Sequence, residues 1–298
     1  MNNHGAVVVT GASSGIGAAC ALHLDRLGYL VFAGVRKKED GDALKGRASE
    51  RLRIVIIDVV DSTSIAAAAE TVEAALAGAG LSGLVNNAGI AVVGPLEFLP
   101  IDDLRKQFEV NVIGAIAVTQ AFLPLLRRGH GRIVNMGSIG GRWATPFAGP
   151  YSASKFALEA LTDALRVELH ASGIEVSIIE PGNVATPIWE KSKASVELRE
   201  AKFPDVARRI YGRHMAAVRR FAEHATGAGI DADVVAHAVA HALMARRPKT
   251  RYLVGRDAKV RAALAKALPD RMRDALVMRR LGLPGPPPEE DRLLGRHG

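Results

Sequence analysis

Apolar positions along the chain fall into short, almost unbroken runs separated by stretches with helical spacing. The runs are AVVVT (6–10), YLVFAGV (29–35), LRIVIIDV (52–59), GLVNNAG (83–89), GRIVNMGS (131–138), VSIIEPG (176–182) and RYLVG (251–255). Runs without polar alternation suit strands buried on both faces, and the helices between them supply the two covering layers. The predicted fold is therefore α/β, a doubly wound parallel sheet of about seven strands with helices on both faces. Two stretches depart from a plain strand-and-helix repeat. Residues 187–230 form a mostly helical insertion whose large apolar residues are Trp189, Phe203, Ile210, Tyr211, Met215 and Phe221. Residues 256–281 form a basic helical extension to a domain that spans 1–255, and Pro269 suits the first position of a second helix there. The end, GLPGPPPEEDRLLGRHG (282–298), is too rich in Pro and Gly to predict order. No internal repeat is visible.

Composition narrows the class. With 298 residues, 48% hydrophobic and 23% charged, the chain is sized for one large domain. A single cysteine, Cys20, lies among apolar residues of the first predicted helix, which excludes an intrachain disulfide and suits a reducing compartment. The start, MNNHGAVVVTG, has no basic region ahead of its apolar run and reads as a first strand, and a cytoplasmic location is expected. No stretch of sequence is read as the roughly 18 apolar residues of a spanning helix. The net charge of +8 is local: residues 245–298 carry 14 basic against 6 acidic side chains, and residues 1–244 carry 25 of each. Without interleaved aromatics this basic end does not argue for nucleic acid, though it admits peripheral contact with an anionic membrane.

Three clusters carry candidate chemistry. In TGASSGIG (10–17), Gly11, Gly15 and Gly17 follow the first strand and open a helix. Glycine lets a pyrophosphate approach the backbone, and the amides around Ser13, Ser14 and Ile16 at the helix start would bind it. The spacing is GxxxGxG, so the GxGxxG fingerprint does not apply. The second strand ends AGVRKKED. Val35 stands where a carboxylate would bond the ribose of NAD, and Arg36 follows it, suited to pair with a 2′-phosphate. NADP(H) is favoured, and NAD(H) stays open if Glu39 or Asp40 serves the ribose. In YSASK, Tyr151 and Lys155 are one helical turn apart, so the ammonium is expected to draw the phenol from its usual pKa of ~10 toward neutrality. Such a phenol exchanges protons with an alcohol–ketone pair, and Ser138 at the end of RIVNMGS is placed to hold the substrate oxygen. His237 and His241 share a helix face, but AHAVAHAL offers neither an intervening acid nor a third ligand, and no metal is predicted.

Together with NNAG (86–89), Asn111 and Pro181-Gly182, these motifs resemble the classical short-chain dehydrogenases/reductases over about residues 5–255. The resemblance implies a Rossmann-type strand order, with Asp58 at the adenine ring and Asn87, Ala88 and Gly89 lining the adenosine ribose. It implies that Asn111 bends a helix and holds a water on the proton path from Lys155, and that Lys155 also bonds the nicotinamide ribose. Pro181, Gly182 and Thr186 resemble the loop that closes over the carboxamide, and the 187–230 insertion resembles a flap over the substrate. Helices near 104–126 and 152–171 would build a homodimer or homotetramer. Segments such as RWATPFAGPYSASKFALEALTDALRVEL resemble the retinol and 17β-hydroxysteroid dehydrogenases, which implies a lipophilic alcohol or carbonyl substrate between walls such as Trp143, Pro146, Phe147, Trp189 and Met215. Nine basic against five acidic residues in 187–230 keep an anionic substrate open, so a 3-oxoacyl-thioester (acyl-carrier-protein) reductase is the second reading. A noncatalytic dinucleotide-binding sensor is the third, and sensors of that kind commonly lose the Tyr or the Lys that this chain keeps.

Overall fold

Parallel pairing of the buried apolar runs organises the chain. In the computed structural model, which describes residues 4–186, 203–227 and 229–283 (side chains of 221–227 excepted), all seven predicted strands form. They are β1 (Ala6–Val9), β2 (Leu30–Val35), β3 (Leu52–Ile56), β4 (Gly83–Asn86), β5 (Arg132–Met136), β6 (Glu175–Pro181) and β7 (Arg251–Val254). They make one parallel sheet in the order β3-β2-β1-β4-β5-β6-β7. The order reverses at β1 and β4, and a sheet of this kind binds ligands beyond the carboxyl ends of its strands at such a reversal.

The two faces of β1 show how the layers are built. Val7 and Val9 point into a core shared with α1 (Gly15–Arg26), through Cys20 and Leu24, whereas Ala6 and Val8 point the other way. The Cys20 thiol is buried there, and burial, with the charge of Asp233, pushes its pKa up to about 12. After β2 comes α2 (Lys38–Lys45), and after β3 comes α3 (Ser62–Leu76), which covers the second face with α5 (Gly114–Arg128). Beyond β6 lie α7 (Asp205–Gly227) and α8 (Ala232–Met244), and α8 packs on α1. The start of the predicted insertion, 187–202 with Trp189, and nearly all of the predicted tail, 284–298, lie outside the described residues.

Two expectations change. The helix from Ile101 to Arg128 is α4 (Ile101–Phe108) joined to α5 through a π-helical turn, Glu109–Ile113. By length and composition it is apolar enough to cross a membrane, contrary to the sequence reading. It is a core helix here, because Val118, Phe122, Leu125 and Leu126 are buried against the sheet. The extension is also more integrated than its basic composition suggested. Ala258 and Ala262 of α9 (Arg256–Ala267) pack on Ile139, beside the end of β5, and α10 (Asp270–Leu281) follows it.

A buried polar chain ties the centre together. Asn86 Nδ2 donates to Thr119 Oγ1 (2.8 Å) and to Asn135 Oδ1 (2.9 Å), and Asn135 Nδ2 donates to Thr162 Oγ1 (2.9 Å). The chain joins α5, β4, β5 and α6 (Gly149–Glu168), and all four residues are buried. Removing one member leaves buried partners unsatisfied at about 1–3 kcal/mol each. Asn135→Ala is expected to lower the unfolding free energy by about 2–4 kcal/mol in urea titrations.

Candidate active site

Every sequence-predicted site residue follows the carboxyl end of a strand or faces that edge. At β1 the turn begins with Thr10, whose buried hydroxyl accepts hydrogen bonds from the amides of Asn87 (3.0 Å) and Ala88 (3.1 Å). Asn87 Nδ2 donates to the carbonyls of Thr10 (2.9 Å) and Gly11 (3.2 Å). Gly11 and Gly15 have φ of 65° and 55°, the left-handed region that glycine adopts freely. A Cβ on Gly11 would stand 2.8 Å from Ala88 Cα, and one on Gly17 would collide with the Gly11 carbonyl oxygen and with Asn87 Nδ2. The glycines thus let the β1 and β4 turns close on each other. Ser14 is the N-cap of α1 and makes no side-chain cap bond to its amides. With exposed Ser13 and half-buried Ile16, this turn has the donor set and dipole for a pyrophosphate.

The neighbouring strand ends complete the dinucleotide side. Val35 is buried at the end of β2, and Arg36, Lys37 and Lys38 are exposed beyond it. Asp58, past the end of β3, is half-buried, and its Oδ1 accepts from Val60 N–H at 3.2 Å. Gly89 closes the β4 turn against Asn111. Pro181 ends β6 in the trans form, and Gly182 donates its N–H to the Val254 carbonyl (2.9 Å). Thr186 is half-buried, at the last described position before residue 187.

The reacting groups meet between β5 and α6. Ser138 caps a short turn, its Oγ accepting from Gly140 N–H at 3.0 Å, and the Tyr151 hydroxyl hydrogen-bonds to it. Lys155, 5% exposed, donates from Nζ to the Met136 carbonyl at 2.7 Å and lies 5.7 Å from the centre of the Tyr151 ring. The expected fall of the phenol pKa does not appear. Burial raises it, the Ser138 hydrogen bond opposes the rise, and the lysine's own pKa is lowered by burial to about 8. A site this dry favours the neutral form of both groups, and the ammonium is turned to Met136. Asn111, predicted to bend a helix, lies in the π-helical turn and is buried. Its Oδ1 accepts from Ile90 N–H (2.9 Å), and its Nδ2 donates to the Ile90 carbonyl (3.0 Å) and to Ser154 Oγ (3.2 Å).

Several supporting residues escaped the sequence reading. Gln107 is fully buried, one turn before Asn111, and brackets the loop after β4 by accepting from Val92 N–H (2.7 Å) and donating to the Ile90 carbonyl (2.9 Å). Its i, i+4 spacing to Asn111 was the available signal. Asp257 accepts from Asn183 N–H (2.8 Å), and a Cβ on Gly182 would collide with its carboxylate. Arg261 donates to the Trp143 carbonyl and to Thr145 Oγ1, each at 3.3 Å. Both come from α9, so the extension holds two loops of the site, and nothing local in its sequence says so.

Helix α7 leans on an aromatic group in the loops before α4 and α6. The Tyr211 ring lies 6.0 Å from both Phe98 and Phe147, Phe203 lies 6.5 Å from Phe98, and Tyr211 OH donates to Glu97 Oε2 (2.8 Å). Phe147, four residues before Tyr151, has a positive φ of 65°, unusual for a bulky residue. Of the other predicted walls, Trp143 is buried and Pro146 and Met215 are half-buried. His237 and His241 do not converge: His237 Nδ1 meets the Asp233 carbonyl (2.7 Å) and His241 Nδ1 meets Tyr252 OH (2.8 Å).

Known proteins agree with this architecture. The short chain dehydrogenase family profile matches residues 5–197. The mitochondrial D-β-hydroxybutyrate dehydrogenase of Rattus norvegicus is 40% identical over 259 residues, covering 83% of this chain and 76% of its own. Retinol dehydrogenase 5 of Homo sapiens is 38% identical, covering 91% and 87%. A crystal structure of a short chain dehydrogenase from Burkholderia cenocepacia in complex with NADP superposes with a TM-score of 0.68 at 29% identity, covering 94% of this chain and 98% of that one.

Desolvation of Lys155 has a measurable signature. The unfolded lysine keeps its proton to about 10.5 and the folded one to about 8, so the unfolded chain binds more protons between those values and stability rises with pH across that window. Relative to Lys155→Met, the wild type is expected to gain on the order of 2 kcal/mol between about pH 8 and about pH 10 in urea titrations. A pH-independent difference would show the ammonium to be solvated.

Proposed function

As the chain belongs to the short-chain dehydrogenase family and is an NAD(P)-dependent oxidoreductase of alcohols and carbonyls, we propose that it prefers NADP(H) and acts on a lipophilic alcohol or carbonyl compound of retinoid or steroid type. The observation that carries the catalytic assignment is the Ser138–Tyr151 hydroxyl contact, with Lys155 buried one turn along α6. A bound dinucleotide would supply the hydride chemistry at the substrate carbon. The protein's part is the proton. Ser138 holds the substrate oxygen against the Tyr151 hydroxyl, which donates its proton in reduction and takes it back in oxidation. The raised phenol pKa keeps that proton available for donation. Lys155 offsets the phenolate left behind and bonds the ribose hydroxyls beside the nicotinamide. Asn111 fixes the loop after β4 and supports a water on the path from Lys155.

The fit to a dinucleotide rests on the glycine turn that carries the chain from β1 into the N-terminus of α1. The preference for NADP(H) is supported by exposed Arg36 beside buried Val35, an arrangement that attracts a 2′-phosphate with no carboxylate at position 35 to repel it. The lipophilic substrate is supported by the aromatic shelf of Phe98, Phe147, Phe203 and Tyr211, and by likeness to a retinol dehydrogenase. A 3-oxoacyl-thioester reductase remains the second reading. It draws on the relative named for a β-hydroxy acid and on the exposed Arg208, Arg209 and Arg213 of α7.

Two further proposals concern assembly. Exposed Ile113, Phe156 and Val167, on the helices that the family pairs across a two-fold axis, support a homodimer or homotetramer. Exposed Met272, Leu276 and Met278 beside Arg271, Arg279 and Arg280 on α10 support contact with an anionic membrane surface. Flotation with anionic liposomes that is unchanged by deleting α10 would remove the membrane proposal.

Tyr151→Phe is expected to lower kcat by about 10²–10⁴-fold while leaving NADPH binding intact by fluorescence titration. Arg36→Ala should weaken NADPH at least about tenfold more than NADH. Following NADPH oxidation against steroid ketones, retinal, long-chain aldehydes and acetoacetyl thioesters separates the two substrate readings. Turnover of a steroid or retinoid supports the first, and turnover of the thioester alone transfers the assignment to the second.

A further inference from the structure

Two carboxyl side chains meet in the interior next to the reacting groups. Glu159 follows Lys155 by one turn on the same face of α6, and Glu180 is the residue of β6 just before Pro181 and Gly182. Glu180 is 0% exposed and Glu159 is 9% exposed. Each gives one oxygen to a guanidinium. Arg142 Nε donates to Glu180 Oε1, and Arg251 Nε donates to Glu159 Oε2 at 3.1 Å while its Nη2 donates to Asp163. The remaining oxygens, Glu159 Oε1 and Glu180 Oε2, are buried and receive no donor from the protein. The two carboxyl groups are close enough to act on each other directly, each as a like charge beside the other when ionised.

Two ionised carboxylates have only acceptors to offer, so a hydrogen bond between them requires a proton, and a single proton satisfies both oxygens. The guanidinium groups do not reach the facing oxygens. Arg142 bonds one oxygen of Glu180, and Arg251, shared with Asp163, bonds one oxygen of Glu159, so two ionised carboxylates would leave their unpartnered oxygens buried beside each other. The other nearby charges are engaged elsewhere: Lys155 with the Met136 carbonyl, Arg166 with Asp163, Asp257 with Asn183 N–H, and Arg261 with Trp143 and Thr145.

We propose that Glu159 and Glu180 share a proton in the folded enzyme, and that this proton clamps α6 to β6, positioning the Tyr151/Lys155 helix and the Pro181–Gly182 turn for the dinucleotide. Glu159 and Glu180 are positioning residues in this arrangement, touching neither substrate nor cofactor. The proton is held into the physiological range, because burial first, then the charge and hydrogen bond of Glu180, push the Glu159 carboxyl up to about 7, against the pull of Arg251. The folded state therefore binds this proton more tightly than the unfolded chain, whose value is 4.5. The stabilisation is present below 4.5 and is lost as pH rises through about 7. Above that, two like charges face each other across the α6–β6 contact and the clamp loosens.

The test uses the full-length protein and NADH, which has no titrating 2′-phosphate. Infrared difference spectra of the wild type should show a protonated carboxyl band at about pH 6 that disappears by about pH 8.5 and is missing in Glu159→Gln. NADH binding by the wild type should weaken at least about fivefold over the same interval. Glu159→Gln, whose amide donates the same hydrogen bond with no proton to lose, should lose at least about fivefold less affinity over that interval, keeping only the change that titration of Lys155 at about 8 imposes on both proteins. Absence of the band in the wild type overturns the proposal even if the variant fails to fold, and so does a variant whose affinity falls with pH as the wild type's does.

Discussion

Parallel pairing of the strands is the constraint from which the rest follows. When all seven strands run the same way, the connections that follow them emerge at one edge, and residues remote in sequence are forced together there. Thr10, Arg36, Asp58, Asn87, Ser138 and Gly182 come from six different strand ends and share no local sequence signal for proximity. The sheet reversal between β1 and β4 opens the crevice, and the glycine turn and Asn87 fasten its two sides to each other.

Behind that edge the protein keeps charge in an almost dry environment. Lys155, Glu159 and Glu180 lie within two turns of α6 and the last residues of β6, and each has a specific partner that limits the cost of burial. The same desolvation raises the Tyr151 phenol and lowers the Lys155 ammonium, so a proton stays where reduction needs it. Fixed hydrogen bonds from Asn111, Gln107 and Ser154 hold this region without charge. Rigidity there is expected of a site that must align a hydroxyl with a carbonyl oxygen.

Helix α7 and the C-terminal extension differ in how they meet this centre. Helix α7 meets the neighbouring loops through aromatic rings and one hydroxyl–carboxylate bond. Helix α9 meets it through Asp257 and Arg261, which bind backbone and hydroxyl groups of two active-site loops directly. Relatives 38–40% identical to this chain carry names as different as retinol and hydroxybutyrate dehydrogenase. That is the pattern expected when chemistry belongs to the sheet edge and selection of substrate to what lies over it.

Strand identity, helix layers and the shared helix face of Tyr151 and Lys155 were readable from the chain alone, because burial periodicity and the i, i+4 spacing are local properties. The glycine turn was readable for the same reason, as positive φ selects its residue type. Three things were not readable. The apolar helix Ile101–Arg128 is a core helix only because the sheet and α3 cover it, and composition gives no view of the covering surface. The basic extension reads as helices appended to the domain until Ala258 and Ala262 are found against Ile139. The direction of the Tyr151 and Lys155 pKa values depends on desolvation by atoms from many elements, and pairwise spacing registers only the neighbouring charge. The sequence determined which groups are present and which faces they occupy; the tertiary structure decided how much water reaches them, and with it their protonation.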